Sequence, residues 1–207
     1  PFPSVGFAVD DIDLDGKNEI VILTDHQIYI FKFQDGKLVQ LAEHDFPYMI
    51  NCLAVSVAKI DSGLPKLVVA AQDDRGGPSS LIATYSKGEV RVEADKIRYY
   101  LSSIKEQGTL RPVIVGQAAE SASNKFKPGV FEMLPNGDGT LSLGSPLNLP
   151  KDATVFSFAY LPGGAKDEDH LVVLSPEERL RVYTLSGSRL AETEEKYSGS
   201  AVGFPMT

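Results

Sequence analysis

Short apolar runs recur along the chain at a near-constant interval. Glu19-Ile-Val-Ile-Leu23, Lys66-Leu-Val-Val-Ala70, Arg111-Pro-Val-Ile-Val115 and His170-Leu-Val-Val-Leu174 are aliphatic almost throughout, as strands covered on both faces are. Each is followed by a glycine-containing turn between two alternating stretches: Phe33-Gln-Asp-Gly-Lys-Leu38, Tyr85-Ser-Lys-Gly-Glu-Val90, Leu134-Pro-Asn-Gly-Asp-Gly-Thr-Leu141 and Leu185-Ser-Gly-Ser-Arg-Leu190. That is the local chemistry of a β-hairpin. Their glycines Gly36, Gly88, Gly137 and Gly187 lie 52, 49 and 50 residues apart. A further strand is expected before each apolar run, over 5–9, 53–60, 99–104 and 155–160. The unit is strand, loop, strand, loop, hairpin, repeated over about 1–47, 48–97, 98–151 and 152–197.

A period near 50 residues made of four short strands is the pattern of β-propeller blades. The expected fold is therefore all-β: a single propeller domain or propeller fragment over 1–207, with about four four-stranded antiparallel blades. The outermost strand of the second unit alternates, with Val90, Val92 and Ala94 on one face and Glu89, Arg91, Glu93 and Asp95 on the other, a charged edge that resists further pairing. In the first unit Ile28 and Ile30 alternate with Tyr29, Phe31 and Phe33, which implies two packed faces. No amphipathic helix is apparent.

The segment Gly199-Ser-Ala-Val-Gly-Phe-Pro205 resembles Pro3-Ser-Val-Gly-Phe-Ala8. It is expected to be the first strand of a further blade, or a strand that closes the ring. With a chain that opens at Pro1, this reads as a piece of a larger propeller. An open arc exposes two apolar blade faces, so self-association is expected, or completion of the first blade by the final strand.

One loop carries distinctive chemistry. Asp11-Ile-Asp-Leu-Asp-Gly-Lys-Asn-Glu19 places carboxylates at loop positions one, three, five and nine, with Gly16 at the turn. Hard cations such as Ca²⁺ take six to eight oxygen ligands, and alternating carboxylates in a tight loop supply them. The expected ligands are Asp11, Asp13, Asp15, the backbone carbonyl of Lys17, and Glu19. Asp10 should point away. The loop is not an EF-hand, which needs a carboxylate at position twelve and a helix after it; here position twelve is Ile22, inside a strand.

A calcium loop ending in a strand resembles the FG-GAP/VCBS repeats of β-propellers, including those of integrin type, in which D-x-D-x-D-G-x-x-[DE]-hydrophobic joins two strands of a blade. Asp11, Asp13, Asp15, Gly16, Glu19 and Ile20 fall where that pattern has them. Leu14 departs from it, since Gly or Asn is usual there. The resemblance covers about one blade. It implies a Ca²⁺ site of structural character, a non-enzymatic binding or scaffold role toward a protein or carbohydrate, and an extracytoplasmic place where calcium is abundant.

The corresponding loops of the later units are degenerate. They retain Asp61 in the second, Glu106 in the third, and Asp167, Glu168 and Asp169 without alternate spacing in the fourth. Asn136-Gly-Asp-Gly139 reads as a hairpin turn.

Composition narrows the function. A net charge of −8 and a pI of about 4.9 argue against nucleic acid or an anionic membrane as partner. No apolar run approaches the ~20 residues that span a bilayer, so direct membrane insertion is not expected. The single cysteine, Cys52, lies in an apolar run and reads as a small buried hydrophobe. His26, His44 and His170 sit in no catalytic pattern, and no phosphate loop, dinucleotide fingerprint or nucleophile elbow occurs. The alternatives to a binding module are a substrate-positioning propeller of a larger secreted enzyme, or a propeller hydrolase or lyase.

Two longer connections, 72–80 and 120–129, are the candidate ligand loops, because long loops on a rigid scaffold carry function. They offer Asp73, Asp74 and Arg75, and Lys125, Phe126 and Lys127 as charges and an exposed aromatic. Tyr99 and Tyr100 could stack on a sugar.

Overall fold

The computed structural model describes residues 3–105, 112–120, 126–136, 140–163 and 168–197, and within them the chain forms strands and no helix. The first sheet contains β1 (Ser4–Asp10), β2 (Glu19–Thr24), β3 (Gln27–Gln34) and β4 (Lys37–Asp45). The second contains β5 (Ile50–Ala58), β6 (Lys66–Asp73), β7 (Ser80–Ser86) and β8 (Glu89–Ile97). The third contains β9 (Tyr100–Lys105), β10 (Pro112–Gln117), β11 (Phe131–Pro135) and β12 (Leu141–Pro146). The fourth contains β13 (Phe158–Leu161), β14 (His170–Leu174), β15 (Leu180–Thr184) and β16 (Arg189–Glu192). In every sheet the strands lie side by side in chain order and pair antiparallel. The chain is thus four successive four-stranded antiparallel meanders.

Turn chemistry sets the registers. Gln34 pairs with Lys37 across the two-residue turn Asp35-Gly36, and Ser86 with Glu89 across Lys87-Gly88. Both residues of each turn have positive φ: 51° and 76° in the first, 52° and 84° in the second. That geometry matches the twist of the flanking strands and favours glycine at its second position.

The sheets pack face to face in series. Val21, Leu23, Ile28 and Ile30 of the first sheet share a core with Leu67, Val69, Leu81 and Ala83 of the second. The opposite face of the second sheet, with Val68 and Ile82, packs against Leu101, Ile114 and Met133 of the third. Tyr100, Val113 and Val115, on the third sheet's other face, pack with Phe156 and Phe158, and Phe158 also lies against Leu171, Val173 and Tyr183 of the fourth. Inner strands approach closely where side chains are small. A Cβ at Gly6 of β1 would stand 3.4 Å from the Val55 nitrogen of β5.

Three expectations change. In β8 the alternation breaks. Ala83 faces Val92 but Ile82 faces Ala94, so Glu93 is the extra residue of a β-bulge. Val90 and Val92 therefore join the core with the first sheet, whereas Ala94 and Ile97 turn to the third; a bulge re-aims the side chains beyond it. The strand expected over 155–160 begins only at Phe158, because Thr154 and Ser157 close a turn through a 3.0 Å backbone bond and the 2.7 Å bond from the Thr154 N–H to the Ser157 hydroxyl. Phe126 is not an exposed aromatic. Its ring lies 5.6 Å from that of Tyr100 and 6.3 Å from that of Phe156, half-buried against the core between the third and fourth sheets. The repeated segment 199–205 and the turn glycine Gly137 lie outside the described residues.

Candidate functional site

The loop between β1 and β2 is fixed at both ends by burial. Ile12 is wholly inaccessible and belongs to the core shared by the first two sheets. Its insertion forces the chain on either side of it to turn outward, and Asp11, Asp13 and Asp15 converge. One carboxylate oxygen from each lies within 4.8 Å of the others. Backbone donors hold this arrangement. The Asp15 N–H donates to Oδ1 of Asp11 (3.0 Å) and Oδ1 of Asp13 (3.1 Å), the Gly16 N–H to Oδ2 of Asp11 (3.0 Å), and the Lys17 N–H to Oδ1 of Asp15 (2.9 Å). Gly16 has φ of +85° with open space around it, so its role is conformational. Leu14, where the resembling repeats carry Gly or Asn, has φ of +63° and is exposed. The backbone thus asks for the residue type that this sequence lacks. Asp10 turns its carboxylate to the Asp11 N–H.

Glu19 occupies a different place from the three aspartates. It is fully buried, and its Oε2 accepts from the Ile12 N–H at 3.1 Å. Its Oε1 lies 2.7 Å from Nζ of Lys32, which also donates to Oδ2 of Asp15 at 2.6 Å. Lys32 thus ties the buried carboxylate to the rim of the cluster. The Lys32 hydrogen bond, together with the Lys17 N–H, holds the Asp15 carboxyl below its ordinary range against the opposing effect of desolvation. Asp15 and Glu19 in turn raise the lysine well above its usual value. Motif reading missed Lys32; the available signal was register, since it stands directly across from Glu19 in the β2–β3 ladder. The three aspartates fit a hard divalent cation, being all-oxygen donors with nearby charge to neutralise. Glu19 would back this set through Lys32.

Among the described residues this is the one carboxylate cluster of its kind. Asp61 in the corresponding loop of the second sheet caps its own turn, accepting from the Gly63 N–H at 2.7 Å. Asp169 in the fourth accepts from the Gly163 N–H at 2.9 Å. Glu106 and Asp167 lie outside the described residues.

The candidate ligand loops separate into two kinds. Asp73, the last residue of β6, and Asp74 and Arg75 after it border a cleft of about 520 Å³ whose walls include Phe46, Met49, Leu81 and Val92. The cleft lies at the end of the sheets opposite the aspartate loop, since β1–β2 and β6–β7 connections leave a meander at opposite ends. Asp73 is structural. It accepts from the Arg75 and Gly77 N–H groups at 3.1 and 2.9 Å and from the Arg98 guanidinium at 2.8 Å. Desolvation works against its charge, but these donors outweigh it and hold the carboxyl below its usual range. Beside the cleft Tyr48 is 84% exposed.

Phe126 and Lys127 are differently employed. Phe126 is half-buried against the core, and the Lys127 N–H and carbonyl are engaged by the Ala118 carbonyl and the Gln117 side chain. Gln117, fully buried, also accepts from the Val155 N–H. Lys125 lies outside the described residues. Tyr100 offers no platform for a sugar. It is buried, its hydroxyl donates to the Gly76 carbonyl at 3.2 Å, and burial pushes the phenol up to about 12. Cys52 is buried too; desolvation, aided by Asp25, lifts its thiol to about 12, which suits packing and not nucleophilic chemistry.

A scan against models of known protein families finds no match for this chain, and a search of curated proteins finds none.

Proposed function

We propose that this chain is a calcium-supported β-propeller module of FG-GAP/VCBS type that binds a protein partner and carries no catalytic activity of its own. The observation that carries the reading is the convergence of Asp11, Asp13 and Asp15 at a turn between the first two strands of a sheet. Calcium there would be held by these three carboxylates, with the Lys17 carbonyl and water completing the sphere. It would neutralise like charges that otherwise repel. Binding to the folded chain alone stabilises it by mass action. Four consecutive meanders stacked face to face support the propeller architecture.

The cleft at the opposite end supports the binding role. Apolar Phe46, Met49, Leu81 and Val92 share its walls with the charged Asp73, Arg75, Lys96 and Arg98, a mixture that suits a peptide carrying both apolar and charged side chains, and exposed Arg75 on its lining and exposed Tyr48 beside it are residue types that dominate protein contacts. An extracytoplasmic setting follows from the calcium reading, since exposed loops of this kind need the high calcium found outside the cytoplasm.

The test is thermal unfolding in calcium and in EDTA, on the wild type and on Asp13→Ala. At calcium about a hundredfold above Kd the gain is about 2.7 kcal/mol, or roughly 5–10 °C for a chain of this length. The wild type should show that rise and the variant should not. Equal melting temperatures in calcium and EDTA would remove the metal site and with it the extracytoplasmic argument.

A further inference from the structure

Lys32 of β3 sets one ammonium between two carboxylates, and each of these uses its other oxygen to hold a backbone N–H of the aspartate loop. On one side Nζ lies 2.7 Å from Oε1 of Glu19, whose Oε2 accepts from the Ile12 N–H at 3.1 Å. On the other side Nζ donates to Oδ2 of Asp15 at 2.6 Å, while Oδ1 of Asp15 accepts from the Lys17 N–H at 2.9 Å. One cation thus grips the loop near its start and after its turn. The lysine side chain is only 12% exposed and that of Glu19 is inaccessible, so water and salt screen this pair weakly.

The second sheet carries a charge pair at the same strand position with the signs exchanged. β6 begins at Lys66 where β2 begins at Glu19. Nζ of Lys66 donates to Oε2 of Glu93 at 2.8 Å, and Oε1 of Glu93 accepts from the Thr84 hydroxyl at 3.2 Å. Glu93 is the bulged residue of β8. The loop before β6 gathers no carboxylate cluster among the described residues, and Asp61 caps it through the Gly63 N–H. The charge pair at the start of the second strand is therefore common to both sheets, whereas the aspartate cluster belongs to the first.

We propose that Lys32 is the resident cation of the aspartate loop: it fixes Asp15 and Glu19, and through them the Lys17 and Ile12 N–H groups, so that the loop keeps its turn without a bound metal. A buried Glu19 with no counter-charge would be driven toward water, and the lysine removes that cost from within the fold. It offsets one of the four negative charges of Asp11, Asp13, Asp15 and Glu19, which leaves three. On the calcium reading, a divalent cation meets those three in a loop that is already shaped. The role of Lys32 rests on the two ion pairs and holds with or without calcium.

The experiment is amide hydrogen exchange, read residue by residue by NMR on the 207-residue chain, in EDTA and then in calcium. The proteins are the wild type, Lys32→Met and Lys66→Met, with the buried core amide of Val173 reporting that each is folded. Lys32→Gln, which removes the charge and keeps a donor, takes the place of Lys32→Met if that variant does not fold. In EDTA the Ile12 and Lys17 amides of the wild type should exchange at least about tenfold more slowly than those of the Lys32 variant. Lys66→Met breaks the corresponding pair of the second sheet and should leave both amides as they are in the wild type. Wild-type amides that exchange in EDTA as fast as those of the variant, and slow only in calcium, would overturn the proposal while keeping the metal site. Protection in EDTA that depends on Lys32 and that calcium changes in none of the proteins would uphold it and remove the metal site. Equal acceleration in Lys66→Met would reveal a general loss of stability and overturn it.

Discussion

Lys32 stands across the β2–β3 ladder from Glu19 and places its ammonium 2.7 Å from the Glu19 Oε1 and 2.6 Å from the Asp15 Oδ2. The pair joins the interior between the first two sheets to the rim of the aspartate cluster. Removing the lysine leaves a buried carboxylate without its counter-ion, a costly state. Lys32→Met should therefore lower the melting temperature, and by more in EDTA than in calcium, since a bound cation restores part of the missing charge.

The same substitution should tighten calcium binding by about tenfold, because one positive charge within hydrogen-bond distance of Asp15 is gone. Isothermal titration calorimetry on both proteins measures it. Weaker binding by the variant would show that Lys32 organises the site and does not compete with the metal.

Acid should destabilise the chain through Asp15 and Asp73. Both carboxyls are held below the ordinary aspartate value of 3.8 in the folded state. A depressed carboxyl contributes stability that is fully present above its unfolded value and is lost as pH falls through the folded value. Urea unfolding from pH 6 to pH 2.5 should thus show stability declining below about pH 4. Asp73→Asn should be less stable at pH 6 and show a shallower decline. An unchanged slope in that variant would mean that the Arg98 pair carries none of the effect.

Leu14 occupies the left-handed region, with φ of +63°, where a non-glycine residue is strained by about 1–2 kcal/mol and asparagine is better tolerated. Leu14→Asn should raise the melting temperature by about 2–4 °C, measured in EDTA so that metal affinity does not enter. A fall would show that the leucine side chain makes a packing contribution larger than the strain.

Ile12 connects the loop to the core. Truncation of a fully buried isoleucine costs about 2–5 kcal/mol. Ile12→Ala should show this loss in denaturant titration and should also weaken calcium binding, because the turn that gathers the aspartates loses its anchor. Retained affinity alongside lowered stability would mean that the backbone bonds among Asp11, Asp13, Asp15 and Gly16 suffice to shape the loop.

The strands and hairpins were legible because their signals are local. Asp35-Gly36 and Lys87-Gly88 form two-residue turns, and runs such as Ile20 to Leu23, short, β-branched and bounded by turn residues, form strands. The convergence of Asp11, Asp13 and Asp15 was also legible, since spacing in a tight loop fixes which carboxylates share a side. Pairings between distant residues were not. Lys32 meets Glu19 only through strand register, and the bulge at Glu93 reverses the face of Ala94 by inserting one unpaired residue. Phe126 reads from the sequence as a solvent-exposed ligand group because hydrophobicity within a polar loop does not tell whether a neighbouring sheet lies over it; the rings of Tyr100 and Phe156 hold it half-buried against the core. The sequence by itself determined the strands and hairpins of the four-stranded sheets and the acidic turn, both products of short-range backbone geometry. The tertiary structure decided which charges are compensated and which side chains are buried, because burial is a property of what packs on a residue and not of its neighbours in the chain.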